Sequence, residues 1–418
     1  MNVWIFQTGE PLPLDANARP MRAINVANAM VESGHSVVLW SSAFYHQEKV
    51  HRCDGYKKVK VSSLLEVRLI PSPGYKKNIG FARFFDHIVL ARNLKRLLAS
   101  EKGPDIAFVG YPPIESSSVM VHWLSGQGIP CVLDVKDQWP DFIVDALPDK
   151  IQSIGRMALY PYYYLAKRAM REATGLIAMA DDFLAWALNF SGRDKGVNDR
   201  VVPLTALTCT AKIAELETAR RWWDKKGVVD NGKTKIMFVG SHYPSLDFSP
   251  IFEAAKIFID QGEECEFIIC GHGELTESLM RKAEDFGSIF LPGWVDRPKI
   301  EELARMSTAL IAPFKNIDCY TKSLPNKIID ALSLGLPILS PLSGEVNRLI
   351  NAERVGLIYK QGSGVSLYDC ISKLKSDKDL CKEVSKNSLN LYHKKFSYEI
   401  VYGGLVSHLE SMVSNNDR

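Results

Sequence analysis

Short apolar runs alternate along the whole chain with longer segments in which apolar positions recur every three or four residues. The runs have the length of buried parallel strands and the segments that of amphipathic helices, so the pattern predicts an α/β protein built of β-loop-α-β units. One series of runs covers residues 3–6, 36–40, 67–70, 106–109, 130–135, 175–179 and 200–204. A second covers 235–240, 266–270, 289–291, 309–312, a run ending at Ser340, and 356–359. Helices are expected at 21–33, 81–100, 154–171, 181–189, 211–226, 250–260, 299–304, 366–376 and 379–390. A final amphipathic segment, 398–412, is suited to pack back on the first half.

The second series contains the stretch around which the chain is organised, residues 320–340. Ser323 is a suitable N-cap, Pro325 suits the first turn, Gly335 suits a left-handed stop, and Pro337 forbids continuation. Between them Ile328, Ile329, Ala331, Leu332 and Leu334 recur at the spacing of a buried face, with Asn326, Lys327 and Asp330 on the other side. A helix N-terminus carrying a lysine attracts phosphate, and a carboxylate one turn on can accept two hydroxyls of a ribose. The stretch therefore reads either as a nucleotide-diphosphate cradle or as a capped core helix with solvated charges.

At 418 residues the chain exceeds what one core usually organises, and two domains of about 200 residues each are expected. The junction falls near residue 204, giving an N-terminal domain 1–204, joined by 396–414, and a C-terminal domain 205–395. A hydrophobic content of 46% with 24% charged residues is that of an ordinary globular protein, with fraying expected only at the tail, Asn415–Arg418. The net charge of +3 is unevenly spread, because Lys76, Lys77, Arg83, Arg92, Lys95, Arg96 and Lys102 lie close together. This basic face, and the tyrosine-rich segment 154–171 with its arginines and lysines, suit either an anionic membrane surface or an ordinary solvated or packed helix. Nucleic acid is not an expected partner.

The eight cysteines show neither zinc-ligand spacing nor a disulfide framework, which fits a reducing compartment. The opening run is too short for a secretory leader, and no segment reaches the roughly 20 apolar residues that cross a bilayer. A cytoplasmic protein is expected, with contact at the cytoplasmic face of the inner membrane as an extension.

In an open parallel sheet, ligands gather at the carboxyl ends of the strands. That places Gly9, Glu10, Asn17, Arg19 and Arg22 at one candidate site, and Asp134, Lys136, Asp137, Trp139 and Asp141 beside it. A carboxylate there can relay an acceptor proton and a tryptophan can stack on a sugar, although an Asx turn with the tryptophan packed inward fits equally. No G-x-G-x-x-G follows the first strand, which disfavours a dinucleotide cofactor and a dehydrogenase.

Gly240 after a strand, the Gly271–Gly273 turn, residues 292–295 and residues 323–337 occur in an order that resembles GT-B glycosyltransferases. The resemblance is to the retaining GT4 family, in its O-antigen and capsule branch, and it runs through most of the chain. It implies two Rossmann-like domains facing across a cleft, the N-terminal one for the acceptor and the C-terminal one for a nucleotide sugar. It further implies that Asp330 binds the ribose, that Ser323, Leu324, Pro325, Asn326 and Lys327 contact donor sugar and phosphate, and that the turn at Trp294 and Val295 receives the base. Gly9, Gly240, Ser241, His242 and Gly271 join the donor set, Arg19, Arg22 and Trp139 the acceptor set, and Asp137, Lys327 and Glu10 the catalytic set.

Two departures stand out. The family's E-x7-E lacks its first acid here, since Lys322 stands eight positions before Asp330, and the usual arginine and lysine are missing from residues 241–247. Lys327 and Lys322 would then supply positive charge to the departing diphosphate. The expected activity is metal-independent transfer, with retention, of a hexosyl or N-acetylhexosaminyl group from a nucleotide-diphosphate sugar, UDP favoured, to a lipid-linked or saccharide acceptor in bacterial surface-polysaccharide synthesis. The same pattern also accommodates a non-hydrolysing nucleotide-sugar epimerase and a non-catalytic nucleotide-sugar-binding subunit of a membrane assembly.

Overall fold

The apolar runs become two main sheets in the computed structural model, which describes residues 1–15, 20–77, 80–145, 147–206 and 211–416. Two compact units contain them, one formed by Met1–Pro203 and Tyr402–Arg418 and the other by Leu204–Val401.

In the first unit the strand order is Arg200–Val201, Gly175–Ala178, Cys131–Val135, Ile106–Tyr111, Asn2–Phe6, Ser36–Ser42, Leu65–Ile70 and Lys57–Lys60. All pairings are parallel except the last. The first strand thus lies mid-sheet, paired with Ser36–Ser42 on one side and Ile106–Tyr111 on the other. Where connections depart in opposite directions a crevice opens at the strand's carboxyl end, and Gln7–Glu10 occupy that place.

The second unit repeats the device. Its order is Ile289–Gly293, Cys265–Cys270, Thr234–Val239, Ala309–Ile311, Ile338–Ser340 and Gly356–Ile358, all parallel. Gly240 follows the strand at the switch point. Its core gathers Ile236, Phe238, Ile268 and Leu310 with one face of helix Asn326–Ser333, whose Ile328, Ile329, Ala331 and Leu332 are at most 1% exposed.

Several boundaries differ from the sequence pattern. The helix expected at 154–171 is two, Asp149–Ala158 and Tyr160–Glu172, because Pro161 suits a first helical turn and cannot continue a preceding one. The run at 200–204 is ordered as strand only over Arg200–Val201. Strand Lys57–Lys60 carried no apolar alternation, since three lysines keep this exposed edge in water and deter further pairing. Helix Glu345–Glu353 was also invisible, buried only through Val346 and Ile350.

The last helix, Tyr398–Asn416, joins the first unit from Tyr402 onward. Asn25 Nδ2 donates to Tyr402 Oη at 3.4 Å, His35 Nε2 meets Glu410 Oε1 at 2.9 Å, and His408 Nε2 meets Asn198 O at 3.2 Å.

A buried ion pair fastens helix Arg22–Glu32 to strand Cys131–Val135. Arg22 Nε and Nη2 donate to the two oxygens of Asp134 at 2.8 and 2.9 Å, and Nη1 donates to Pro203 O at 3.1 Å. Arg22 and Asp134 are only 5% and 1% exposed. Removing one partner strands a buried charge, so Asp134→Ala should cost about 3–5 kcal/mol in urea unfolding, while Arg22→Met with Asp134→Leu should recover much of that loss.

Candidate functional site

In the second unit three adjacent strands end on glycines of positive φ, namely Gly240 (147°), Gly271 (125°) and Gly293 (88°). Their turns meet backbone to backbone. Gly240 N–H donates to Cys270 O at 3.1 Å, Gly271 N–H to Gly293 O at 2.8 Å, and His242 N–H to His272 O at 3.1 Å. A methyl group on Gly271 would stand 1.9 Å from Gly240 O, and one on Gly273 2.6 Å from both His242 N and O. Only glycine allows these strand ends to close so tightly.

Over this floor lies Lys327. From the first turn of helix Asn326–Ser333 its ammonium crosses Gly240, where an added methyl would stand 1.8 Å from Nζ. It donates to Val239 O at 2.7 Å and sits 4.5 Å above the ring of Phe238. Burial lowers its pKa to about 8, with Asp330 one turn on pulling the other way. A cation, a helix N-terminus and a switch-point turn therefore coincide, which is the physical make-up of an anion site.

The remaining expected residues around this turn divide. Ser241, Asn326 and Trp294 are exposed, and Leu324, Pro325 and Asp330 half-buried. His242 is buried between Phe238 and Phe248 with Nδ1 2.9 Å from Thr276 Oγ1, and burial lowers its pKa, so its side chain holds the turn together. Val295 points into the core, and Trp294 stands at a cavity of about 420 Å³ shared with His272, Thr276 and Met280. Ser323 is not the N-cap: Pro325 holds that position, extended at φ −59° and ψ 147°, without a side-chain cap, and Ser323 is buried. Gly335 takes the left-handed stop at φ 66°.

In the first unit Gly9, at φ 80°, and Glu10 line a cavity at the sheet's switch point. Glu10 is buried; its carboxylate accepts Ala23 N–H at 2.9 Å and pairs with Lys136, which also donates to Gln7 Oε1 at 2.7 Å. Arg22, expected at the acceptor, lies inside the unit, engaged with Asp134. Arg19 and Asn17 fall outside the described residues.

Asp137 accepts Gln138 N–H at 2.9 Å, and burial raises its carboxyl pKa. Trp139 lies 5.0 Å from the Arg83 guanidinium. Asp141 is taken up by Tyr163 Oη at 2.7 Å and Trp186 Nε1 at 2.9 Å, and so ties helices together. The sequence reading missed Tyr75, His46 and His87, which line the cavity of Gly9 and Glu10. Isolated histidines carry no spacing pattern, and His46 and Tyr75 reach the cavity from loops while His87 reaches it from helix Phe81–Leu98.

Among the described residues no group of three or more His, Cys, Asp or Glu side chains is placed to hold a metal ion, and no helix is long and apolar enough to cross a membrane.

Residues 233–377 match the family model for glycosyl transferases group 1. No curated protein matches the chain in sequence. Its fold is similar to sucrose-phosphate synthase from Thermosynechococcus elongatus, with 13% identity, 99% of each chain covered and a TM-score of 0.70. It is similar also to WaaG, a glycosyltransferase involved in lipopolysaccharide biosynthesis, at 13% identity, 98% and 99% coverage and a TM-score of 0.64. Anabaena HepE in complex with UDP gives 11% identity, 98% and 99% coverage and a TM-score of 0.63. The chain thus has the GT-B fold of two Rossmann-like units, and its second unit contains the whole of the match to glycosyl transferases group 1.

Proposed function

We propose that the chain is a retaining, metal-independent glycosyltransferase. It moves a hexosyl or N-acetylhexosaminyl group from a nucleotide-diphosphate sugar, UDP favoured, to a lipid-linked or saccharide acceptor in surface-polysaccharide synthesis. The second unit holds the donor and the first the acceptor.

The observation that carries this reading is Lys327 across Gly240 at the start of helix Asn326–Ser333. As the sugar leaves, negative charge grows on the diphosphate, and an ammonium already fixed there needs no reorganisation to meet it. Asp330, one turn on, is the candidate for a ribose diol, and Trp294, at its cavity, the candidate for a base. The HepE relative with bound UDP favours uridine. Asp137, raised by burial, is the first unit's candidate for meeting an acceptor hydroxyl.

Membrane contact at the cytoplasmic face, and with it a lipid-linked acceptor, is supported by exposed apolar side chains set among cations. Phe81 is 93%, Met157 74% and Tyr160 68% exposed, and Tyr160 shares a surface depression with Arg156 and Lys167. The purified chain should sediment with vesicles containing anionic lipid at low salt and be released at high salt; indifference to vesicle charge removes this part of the reading.

UDP should raise the melting temperature of the full chain, and a UDP-sugar with a suitable acceptor should release UDP. No stabilisation by any nucleoside diphosphate counts against the assignment, and interconversion of a UDP-sugar without acceptor, followed by NMR, assigns an epimerase instead. Lys327→Ala should lower kcat/KM on the order of 10–100-fold, the worth of one charge-assisted contact to the leaving group.

Lys327 also sets a pH dependence. The diphosphate binds the protonated ammonium, so UDP affinity should be level below about pH 8 and fall above it, by up to about tenfold per unit, as the free protein loses that proton. Calorimetric titrations across this range check it, and Lys327→Ala should remove the inflection.

A further inference from the structure

The chain enters the helix that carries Lys327 through residues 313–325, which follow strand Ala309–Ile311. That strand lies between Thr234–Val239 and Ile338–Ser340. The loops after these two neighbours, residues 240–248 and 341–344, flank the segment, and both are fastened to it. On one side Lys315 N–H donates to Ser245 O at 3.0 Å, Lys315 Nζ to Pro244 O at 2.6 Å, and Tyr320 Oη to Ser245 Oγ at 3.1 Å.

On the other side the fastening runs through Asn316. Its Oδ1 accepts Ser343 N–H at 2.7 Å and Ser343 Oγ at 2.8 Å, while its Nδ2 donates to Pro341 O at 2.9 Å and to Gln361 Oε1 at 2.7 Å. Both ends of the amide are used in their proper senses, which an aspartate or a serine in its place could not reproduce. Asn316 is exposed, so these bonds hold loop to loop rather than filling the core. Gly344 tightens the same contact: it turns at φ 70°, and a methyl group on it would stand 2.0 Å from Thr321 O. The two backbones meet where only glycine fits.

What the held segment delivers is the first turn of helix Asn326–Ser333. The Lys327 ammonium meets Val239 O and the ring of Phe238, so its place over Gly240 follows the place of that turn. A group that stabilises charge in a reaction loses about 100-fold when it is displaced by about 1 Å.

We infer that Asn316 is a positioning residue of the donor site, which acts by setting the loop that places Lys327 over Gly240. The inference rests on the second unit holding the donor, and Asn316 acts on the donor through Lys327.

The test uses the full chain and two readouts. UDP affinity is measured by calorimetry at pH 7, and the titration of Lys327 is followed by NMR in protein with 13C-labelled lysines, its resonance assigned by its loss in Lys327→Ala. Asn316→Ala and Gly344→Ala are neutral changes, so neither adds a charge to the groups facing Lys327, which are Asp330 on its own helix and His242 from the turn after Gly240. Each variant should weaken UDP about tenfold. Each should also raise the Lys327 pKa from about 8 towards the ordinary 10.5, because an ammonium released from its buried place regains water. A purely structural role lowers the melting temperature and leaves the titration where it was. That result in Asn316→Ala, or unchanged UDP affinity in it, overturns the inference. A wild-type chain that does not bind UDP overturns the donor assignment instead, and the titration, which needs no nucleotide, then decides by itself whether Asn316 sets Lys327.

Discussion

The second unit depends on one steric constraint, that at Gly271 two neighbouring strand ends come closer than any Cβ permits. Gly240, Gly271 and Gly293 turn with positive φ, and Gly273 lies against the backbone of His242. The resulting floor is made of peptide groups, and Lys327 can lie flat over Gly240 only because nothing projects there. A partly buried ammonium with a lowered pKa follows from this packing rather than from any charged partner.

The first unit solves a different problem, holding several buried charges near the ends of its central strands, each with a partner. Asp134 takes Arg22, Glu10 takes Lys136, Asp86 takes a backbone N–H, and Asp141 takes a phenol and an indole. Burial, with Lys49 and Arg83 nearby, keeps His46 neutral, and burial, with Arg83 and His46 nearby, does the same for His87.

Much of this was legible in the sequence. The apolar runs located most of both main sheets, since strands buried on two faces must be continuously apolar. Glycine and proline placed the end of helix Asn326–Ser333, and Lys327 was singled out from its position in the first turn. What failed did so for identifiable reasons. The lysine-rich edge Lys57–Lys60 has no buried face to betray it, Pro161 starts a helix where one continuous helix was expected, and Pro325 rather than Ser323 precedes the first turn.

The sequence by itself determined the α/β class, the two series of strands and the chemistry available at the second switch point, because these follow from local periodicity and from residues close together in the chain. Tertiary structure alone decided that Arg22 would face Asp134 instead of solvent, that His242 would be enclosed, and that His46, Tyr75, Arg83 and His87 would share one cavity. Such meetings depend on which strand lies beside which, and strand order leaves no trace in the spacing of residues along the chain.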